Sequence, residues 1–340
     1  KLGLVSGAVF GDLDGDGDAD LVLALEWGPV KVLRNDAGKF NDATKSLGLA
    51  THRGWWNSVA LGDFDADGRL DIVAGNWGHN SKYEGAYSKT QPLRMAYADF
   101  DENGVLDIVE YHFDKLTKKM VPERGRSCTM NAMPTFGTEK ESFESFEAFG
   151  KRSLEEVYGK CLNDGTVLTA NTLAHTVFLN RGGKYEARPL PAEAQFAPIY
   201  GINIADFDGD GHEDIFMAQN FFASQRETPR SDGGRGLLMR GDGKGGFTPM
   251  PGQDSGLKIY GEQRGSAVAD FNHDGRPDLV VTQNGSHTHL YQNIQARPGL
   301  RVKVNAGTAN PTGVGAIVRL KFAEGRLGPA LLITAGSGYW

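Results

Sequence analysis

The 340-residue sequence predicts an all-β fold: a β-propeller of about seven blades, with six or eight also compatible. Three observations predict it. One acidic nonapeptide recurs five times, each copy is flanked by short apolar segments that alternate as strands do, and glycine, at 46 residues, has about twice its ordinary share. Hydrophobic residues make up 39% of the chain and charged residues 23%, enough for a sizeable core. No run approaches the ~18 apolar residues of a membrane span. A formal charge of −7 gives no footing for a nucleic-acid partner.

The acidic repeats occupy 12–20, 63–71, 99–107, 206–214 and 270–278, each of the form D-x-[DN]-x-[DN]-G-x-x-D. Their first, third, fifth and ninth positions are Asp12, Asp14, Asp16 and Asp20; Asp63, Asp65, Asp67 and Asp71; Asp99, Asp101, Asn103 and Asp107; Asp206, Asp208, Asp210 and Asp214; and Asp270, Asn272, Asp274 and Asp278. Alternating carboxylates converge on one point when the backbone curls, and the glycine at position six permits the bend. Calcium, a hard cation taking six to eight oxygens, suits such a cage, whereas magnesium prefers to keep its waters. Up to five structural Ca²⁺ ions are expected, held more weakly where Asn103 and Asn272 remove a charge. These positions hold 18 of the 43 acidic residues, so like charges should repel within each metal-free loop.

The flanks decide which calcium fold this is. An EF-hand loop ends in Glu at position twelve, and only the third repeat complies, through Glu110. Before the loops the chain reads Val9-Phe10-Gly11, Ala60-Leu61-Gly62, Ala96-Tyr97-Ala98, Asn203-Ile204-Ala205 and Ala267-Val268-Ala269. After them come Leu21-Val22, Ile72-Val73, Ile108-Val109, Ile215-Phe216 and Leu279-Val280. That is strand alternation, not a helical period. The small residue just before each loop fits an innermost strand crowded at a propeller axis.

Loop starts lie 51, 36, 107 and 64 residues apart, and a blade needs about 40–50. The long gap is expected to hide an ion-free blade made from 166–170 and 176–185. A strand, glycine turn and aromatic recur at 32–40 and 237–247. Between 115 and 160 the rhythm breaks, and the spacing suggests a short helical insertion whose phenylalanines Phe136, Phe143, Phe146 and Phe149 pack onto the sheets. Strand-like segments at 300–304, 316–322 and 330–334 are candidates to complete the last blade.

At these residues the chain resembles the FG-GAP/VCBS repeat family, whose propeller blades carry calcium loops, as do integrin α-subunit propellers. Its end, 310–340, resembles the start of an ASPIC/UnbV domain, which divides the chain into a propeller at 1–298 and a partial segment at 299–340. The combination is similar to bacterial relatives of cartilage acidic protein. The resemblance implies a secreted, periplasmic or cell-surface protein. The chain begins at Lys1, as a processed or trimmed product would, so a signal peptide would lie outside it. Cys128 and Cys161 can pair in an oxidising compartment or remain two buried thiols.

Several residues are candidates for a ligand site. Trp55, Trp56, Asn57, Asn76 and Trp77 flank the second loop and would suit a sugar ring if exposed. Arg124, Arg126, Arg226 and Arg230, in long loops over a rigid scaffold, could contact an acidic sugar or pin the insertions by salt bridges. His287 and His289 share a strand face but make no complete metal site. The chain has no GxSxG, HExxH, phosphate-loop or dinucleotide motif. The leading expectation is a binding or adhesion module for extracellular polysaccharide or a surface protein. The alternative is a polysaccharide lyase, with an arginine on the uronate carboxylate and a Tyr or His as base.

Overall fold

The computed structural model describes residues 2–100, 102–132, 144–159, 161–224, 228–305 and 307–335. The first repeat forms an antiparallel sheet of β1 (Leu4–Gly11), β2 (Asp20–Pro29), β3 (Lys31–Asp36) and β4 (Lys39–Asp42), with β5 (Arg53–Trp55) returning to the far end of β2. The turn between β3 and β4 uses Ala37 and Gly38 at φ 50° and 88°, the left-handed pair that a two-residue hairpin of correct twist demands.

The second sheet opens with β6 (Ser58–Gly62) and β7 (Asp71–Gly75), and then the chain leaves it. The excursion builds its own sheet from β8 (Leu93–Ala98), β9 (Asp107–Asp114) and β10 (Lys119–Pro122). Short helices α1 (Arg126–Ala132), α2 (Phe146–Gly150) and α3 (Leu154–Tyr158) follow, and β11 (Thr166–Ala170) pairs with β8. The helical insertion is therefore present. Ser153 and Glu156 form a capping box at α3, which buries Leu154, Val157 and Tyr158 against Val109 and Tyr111. Phe149 joins this cluster, Phe146 is exposed, and Phe136 and Phe143 lie outside the described residues.

The chain then returns, and β12 (Thr176–Asn180) and β13 (Tyr185–Pro189) complete the second sheet in the order β13-β12-β7-β6. The ion-free blade expected from 166–185 does not form. Its two segments are shared between neighbouring sheets, because every residue of β12 is buried and needs a strand on each side. A fourth sheet holds β14 (Ile199–Ala205), β15 (Asp214–Gln219), β16 (Leu237–Gly241) and β17 (Phe247–Pro249), followed by α4 (Gly252–Ser255). A fifth has β18 (Glu262–Ala269), β19 (Asp278–Asn284) and β20 (His289–Tyr291). The last strands, β21 (Ile317–Val318) and β22 (Leu331–Leu332), pair with each other rather than with the fifth sheet, and 300–304 is not a strand.

The first strands β1, β6, β14 and β18 lie side by side, so four sheets fan around one line while the inserted sheet sits against β2 and β5 through β11. Crowding at that line explains the small residues before the loops. A Cβ on Gly11 would come within 2.5 Å of Leu61, and one on Gly62 within 2.6 Å of the Glu213 carboxylate. Period-two alternation feeds a core on each side of a sheet. Ile72 packs toward the first sheet with Trp56 and Phe178, and its neighbour Val73 toward the fourth with Ile199 and Met217. Phe216, next to Met217, packs toward the fifth sheet with Leu279 and Val281.

Both ends of the excursion are tied at His175, which is fully buried. Its Nδ1 accepts the Asn76 N–H at 2.7 Å, leaving Nε2 to donate to the Ala197 carbonyl at 3.0 Å. Burial holds this imidazole neutral, with its pKa pushed down to about 3. Below the ordinary histidine range the unfolded chain therefore gains a proton that the folded one does not, costing about 1.4 kcal/mol of stability per pH unit. Between pH 7.5 and 5 the protein should lose about 2 kcal/mol more than His175→Gln does, measured by urea unfolding at fixed divalent-cation concentration. Equal losses would contradict this role.

Candidate metal centres

Each acidic loop joins the first two strands of its sheet and curls in the same way. Its first aspartate gathers the N–H groups of the following turn. Gly15 and Gly17 donate to Asp12, Gly68 to Asp63, Gly104 to Asp99, Gly211 to Asp206 and Gly275 to Asp270, at 2.7–3.1 Å. The curl puts the sixth-position glycine at positive φ in every copy, from 85° at Gly104 to 94° at Gly17. It also puts the fourth position there, where Ala66, Glu102 and His273 at φ 57°, 56° and 63° bear a conformation that glycine takes freely. The sequence carries this signal only at Gly15 and Gly209.

The ninth aspartate has a structural role that needs no cation. One carboxylate oxygen accepts the N–H of the second loop residue: Leu13 to Asp20, Phe64 to Asp71, Phe100 to Asp107, Phe207 to Asp214 and Phe271 to Asp278, at 2.8–3.0 Å. In four loops the other oxygen accepts an N–H at or just past the end of the sheet's third strand: Asn35, Asn180, Gly241 and Asn293, at 2.7–2.8 Å. Loop, second strand and third strand meet on this one side chain.

Carboxylate oxygens converge as the repeat requires. Ligand atoms of Asp12, Asp14 and Asp20 lie within 4.8 Å of one another, as do those of Asp63, Asp65 and Asp71, and those of Asp206, Asp208 and Asp210. Such clusters can hold a cation. In the third loop Asp101 lies outside the described residues, leaving Asp99, Asn103 and Asp107; the fifth has Asp270, Asn272, Asp274 and Asp278. Asp16 and Asp67 are exposed, and their oxygens hold the seventh-residue N–H groups of Asp18 and Arg69.

The second loop is the most enclosed. Asp63 is 1% exposed, and its Oδ1, like Asp65 Oδ1, is buried without a hydrogen-bond partner. An orphaned carboxylate oxygen is costly unless a cation meets it. Burial, reinforced by neighbouring carboxylates, pushes Asp71 up to about 8 and Asp214 to about 7. Guanidinium groups compensate part of this charge: Arg34 pairs with Asp14, Arg181 with Asp65 and Arg240 with Asp208, each from the third strand or just beyond it.

The loops are also linked to one another. Asn180 Nδ2 donates to the Leu13 carbonyl of the first loop at 3.1 Å, while its N–H serves Asp71 of the second. The Asp63 N–H donates to Glu213 of the fourth at 2.5 Å, and Asn293 Nδ2 reaches from the fifth sheet to the Phe207 carbonyl at 2.8 Å. The C-terminal segment closes over the second loop, where the Ala330 N–H donates to Asp63 Oδ2 at 2.8 Å and Arg319 to the Ala66 carbonyl at 3.1 Å.

The tryptophan candidates are used internally. Trp56, Asn57 and Asn76 are buried. Asn76 Oδ1 accepts the N–H groups of Trp55 and Trp77, and its amide donates to Thr172 O. Trp55 stacks on Trp77 at 4.3 Å and meets Trp27 at 5.4 Å, and both Trp55 and Trp77 are half-buried, so the set divides between buried members and a partly exposed stack. Arg124 donates to Cys128 Sγ at 3.6 Å, while Arg126 and Arg230 lie over the rings of Phe146 and Phe222. Arg226 and the Cys161 side chain lie outside the described residues, so the pairing of Cys128 with Cys161 does too. His112 Nδ1 lies 2.6 Å from Glu123, and Tyr83 donates to Glu110 at 3.1 Å. Arg, His and Tyr thus converge beside the inserted sheet, but around the largely enclosed carboxylates of Glu110 and Glu123. His287 and His289 are exposed.

An FG-GAP-like repeat model matches residues 12–74, and an FG-GAP repeat model matches 264–292. The chain therefore contains FG-GAP repeats, covering the first, second and fifth loops. It is 25% identical to the T-cell immunomodulatory protein of Rattus norvegicus and 23% identical to that of Mus musculus, over 82% of this chain and 50% of each relative. The chain spans about half the length of these curated relatives.

The two kinds of aspartate should separate on substitution. Asp71→Asn turns one acceptor into a donor facing a backbone N–H, and should cost about 1–3 kcal/mol already without divalent cation. Asp65→Asn spares every backbone bond and gives up only the Arg181 pair, so it should cost less than Asp71→Asn without the cation, and its cost should grow when the cation is supplied. Urea unfolding in both conditions checks this, and a cost of Asp71→Asn that appears only with the cation would contradict it.

Proposed function

We propose that the chain forms part of a calcium-stabilised β-propeller that works outside the cell as a binding or adhesion module, for an extracellular polysaccharide or a surface protein. The observation that carries the reading is the second loop, where buried and unpartnered oxygens of Asp63 and Asp65 sit beside Asp71 in a cage of hard oxygen donors. Calcium would be held there by carboxylates that the backbone already positions, and correspondingly in the other four loops. It supplies charge neutralisation and closes the shell. The residues themselves fix the curl, join the strands and tie loop to loop.

The propeller reading draws on the fan of β1, β6, β14 and β18. At its two ends Phe10 and Leu290 remain 55% and 54% exposed on sheet faces, where further blades of a ring of about seven would pack. Binding is favoured over catalysis because Arg124, Arg126 and Arg230 are engaged with groups of the chain itself. The relatives are named for modulating T cells, which keeps a surface protein among the partners to test.

At 1 mM calcium, extracellular-type sites of ~10⁻⁴–10⁻³ M should each contribute about 0.4–1.4 kcal/mol. Chelation should therefore lower the melting temperature by several degrees. A polysaccharide panel, scored for retention and for product release, should give retention without product. A melting temperature unmoved by chelator would overturn the calcium assignment, and new unsaturated ends would make the protein a lyase.

A further inference from the structure

Between the fourth and fifth sheets the surface opens into a groove of about 460 Å³, within the size range of small-ligand sites. Its origin lies in the topology. The fourth sheet carries an outer strand, β17, followed by α4, whereas the fifth has three strands in the described residues. The space opposite α4 is lined instead by the turn at 292–296.

The floor is the open end of a core cluster. Leu257 is buried there, and Phe207, Met250 and Tyr291 pack against the cluster while remaining partly accessible. The rim is amide-rich. Gln253 projects from α4, Gln292 and Gln295 from the opposite turn, and among the described residues none of these three side chains makes a hydrogen bond. The guanidinium of Arg240 is already paired with Asp208, which leaves Asp254 as the uncompensated charge of the lining.

This combination selects a class of ligand. A lining without a spare cation is a poor host for phosphate, sulfate or uronate. A lipid would leave the amides unsatisfied. A neutral sugar matches both parts: its hydroxyls donate and accept as side-chain amides do, and the C–H face of its ring suits an apolar floor with an aromatic edge.

We propose that the groove between the fourth and fifth sheets binds a neutral saccharide, with Gln253, Gln292 and Gln295 on its hydroxyls and Tyr291 and Leu257 beneath its ring. The assignment rests on the binding-module reading and names the site that reading lacks. Phe207 and Asp208, the second and third residues of the fourth acidic loop, form one wall, so the groove is built on that loop.

The test compares the protein with the double variant Gln253→Ala/Gln292→Ala, using soluble neutral glucans, mannans and galactans, with alginate and chondroitin sulfate as acidic probes. Both glutamines are exposed, so the melting temperature should not change. The expected result is binding of a neutral polymer that the double variant weakens at least tenfold, the loss of about one hydrogen bond per amide. Equal binding by the variant overturns the groove while leaving the saccharide reading intact. Salt-sensitive retention of the acidic polymers alone overturns the neutral class. Retention of neither class removes the saccharide reading and the groove with it.

Discussion

The structure depends on one recurring interaction, a buried aspartate that accepts backbone N–H groups from two directions. Asp20, Asp71, Asp214 and Asp278 each stand where a loop enters the second strand and the third strand ends. Hydrogen bonds to a charged acceptor are each worth about 1.5–3 kcal/mol, and two of them would share one carboxylate here when a cation keeps it ionised. That carboxylate must be buried to reach both donors, which explains the raised pKa of Asp71 and Asp214. In the proposed reading calcium removes the remaining cost, since it meets the oxygens that the backbone leaves free.

From this interaction follows a layer that joins the sheets at one end. Asn180 links the first loop to the second, Glu213 the second to the fourth, and Asn293 the fourth sheet to the fifth. Each of these sheets is thus held twice, by apolar side chains across its faces and by polar contacts between its loops. The C-terminal segment joins the same layer through Ala330 and Arg319. Its attachment to the second loop, rather than to the last sheet, makes that loop the most enclosed of the five.

Much of this was legible in the sequence because it rests on local rules. The loops, their flanking strands and the small residues before them follow from spacing and period, and Gly11 and Gly62 meet the crowding those positions imply. What was not legible is long-range. Nothing local in Thr176–Asn180 says that it pairs with Asp71–Gly75 a hundred residues earlier; only its burial on both faces requires it. The tryptophans at 55–77 read more readily as buried than as exposed, but which of them are buried follows only from the partners of Asn76 and from packing. Gln253 and Gln292 had no signal at all, since a groove between sheets belongs to the packing and not to either segment.

In the proposed reading the loops are closed by ions as well as stapled to the strands. Peptide-resolved hydrogen exchange with calcium and with chelator measures both properties in one experiment. Calcium should slow exchange within 12–20, 63–71, 99–107, 206–214 and 270–278 and at the third-strand ends around Asn35, Asn180, Gly241 and Asn293, most strongly in the second loop. Exchange that calcium leaves unchanged in those segments, or slows evenly across the chain, would contradict the account.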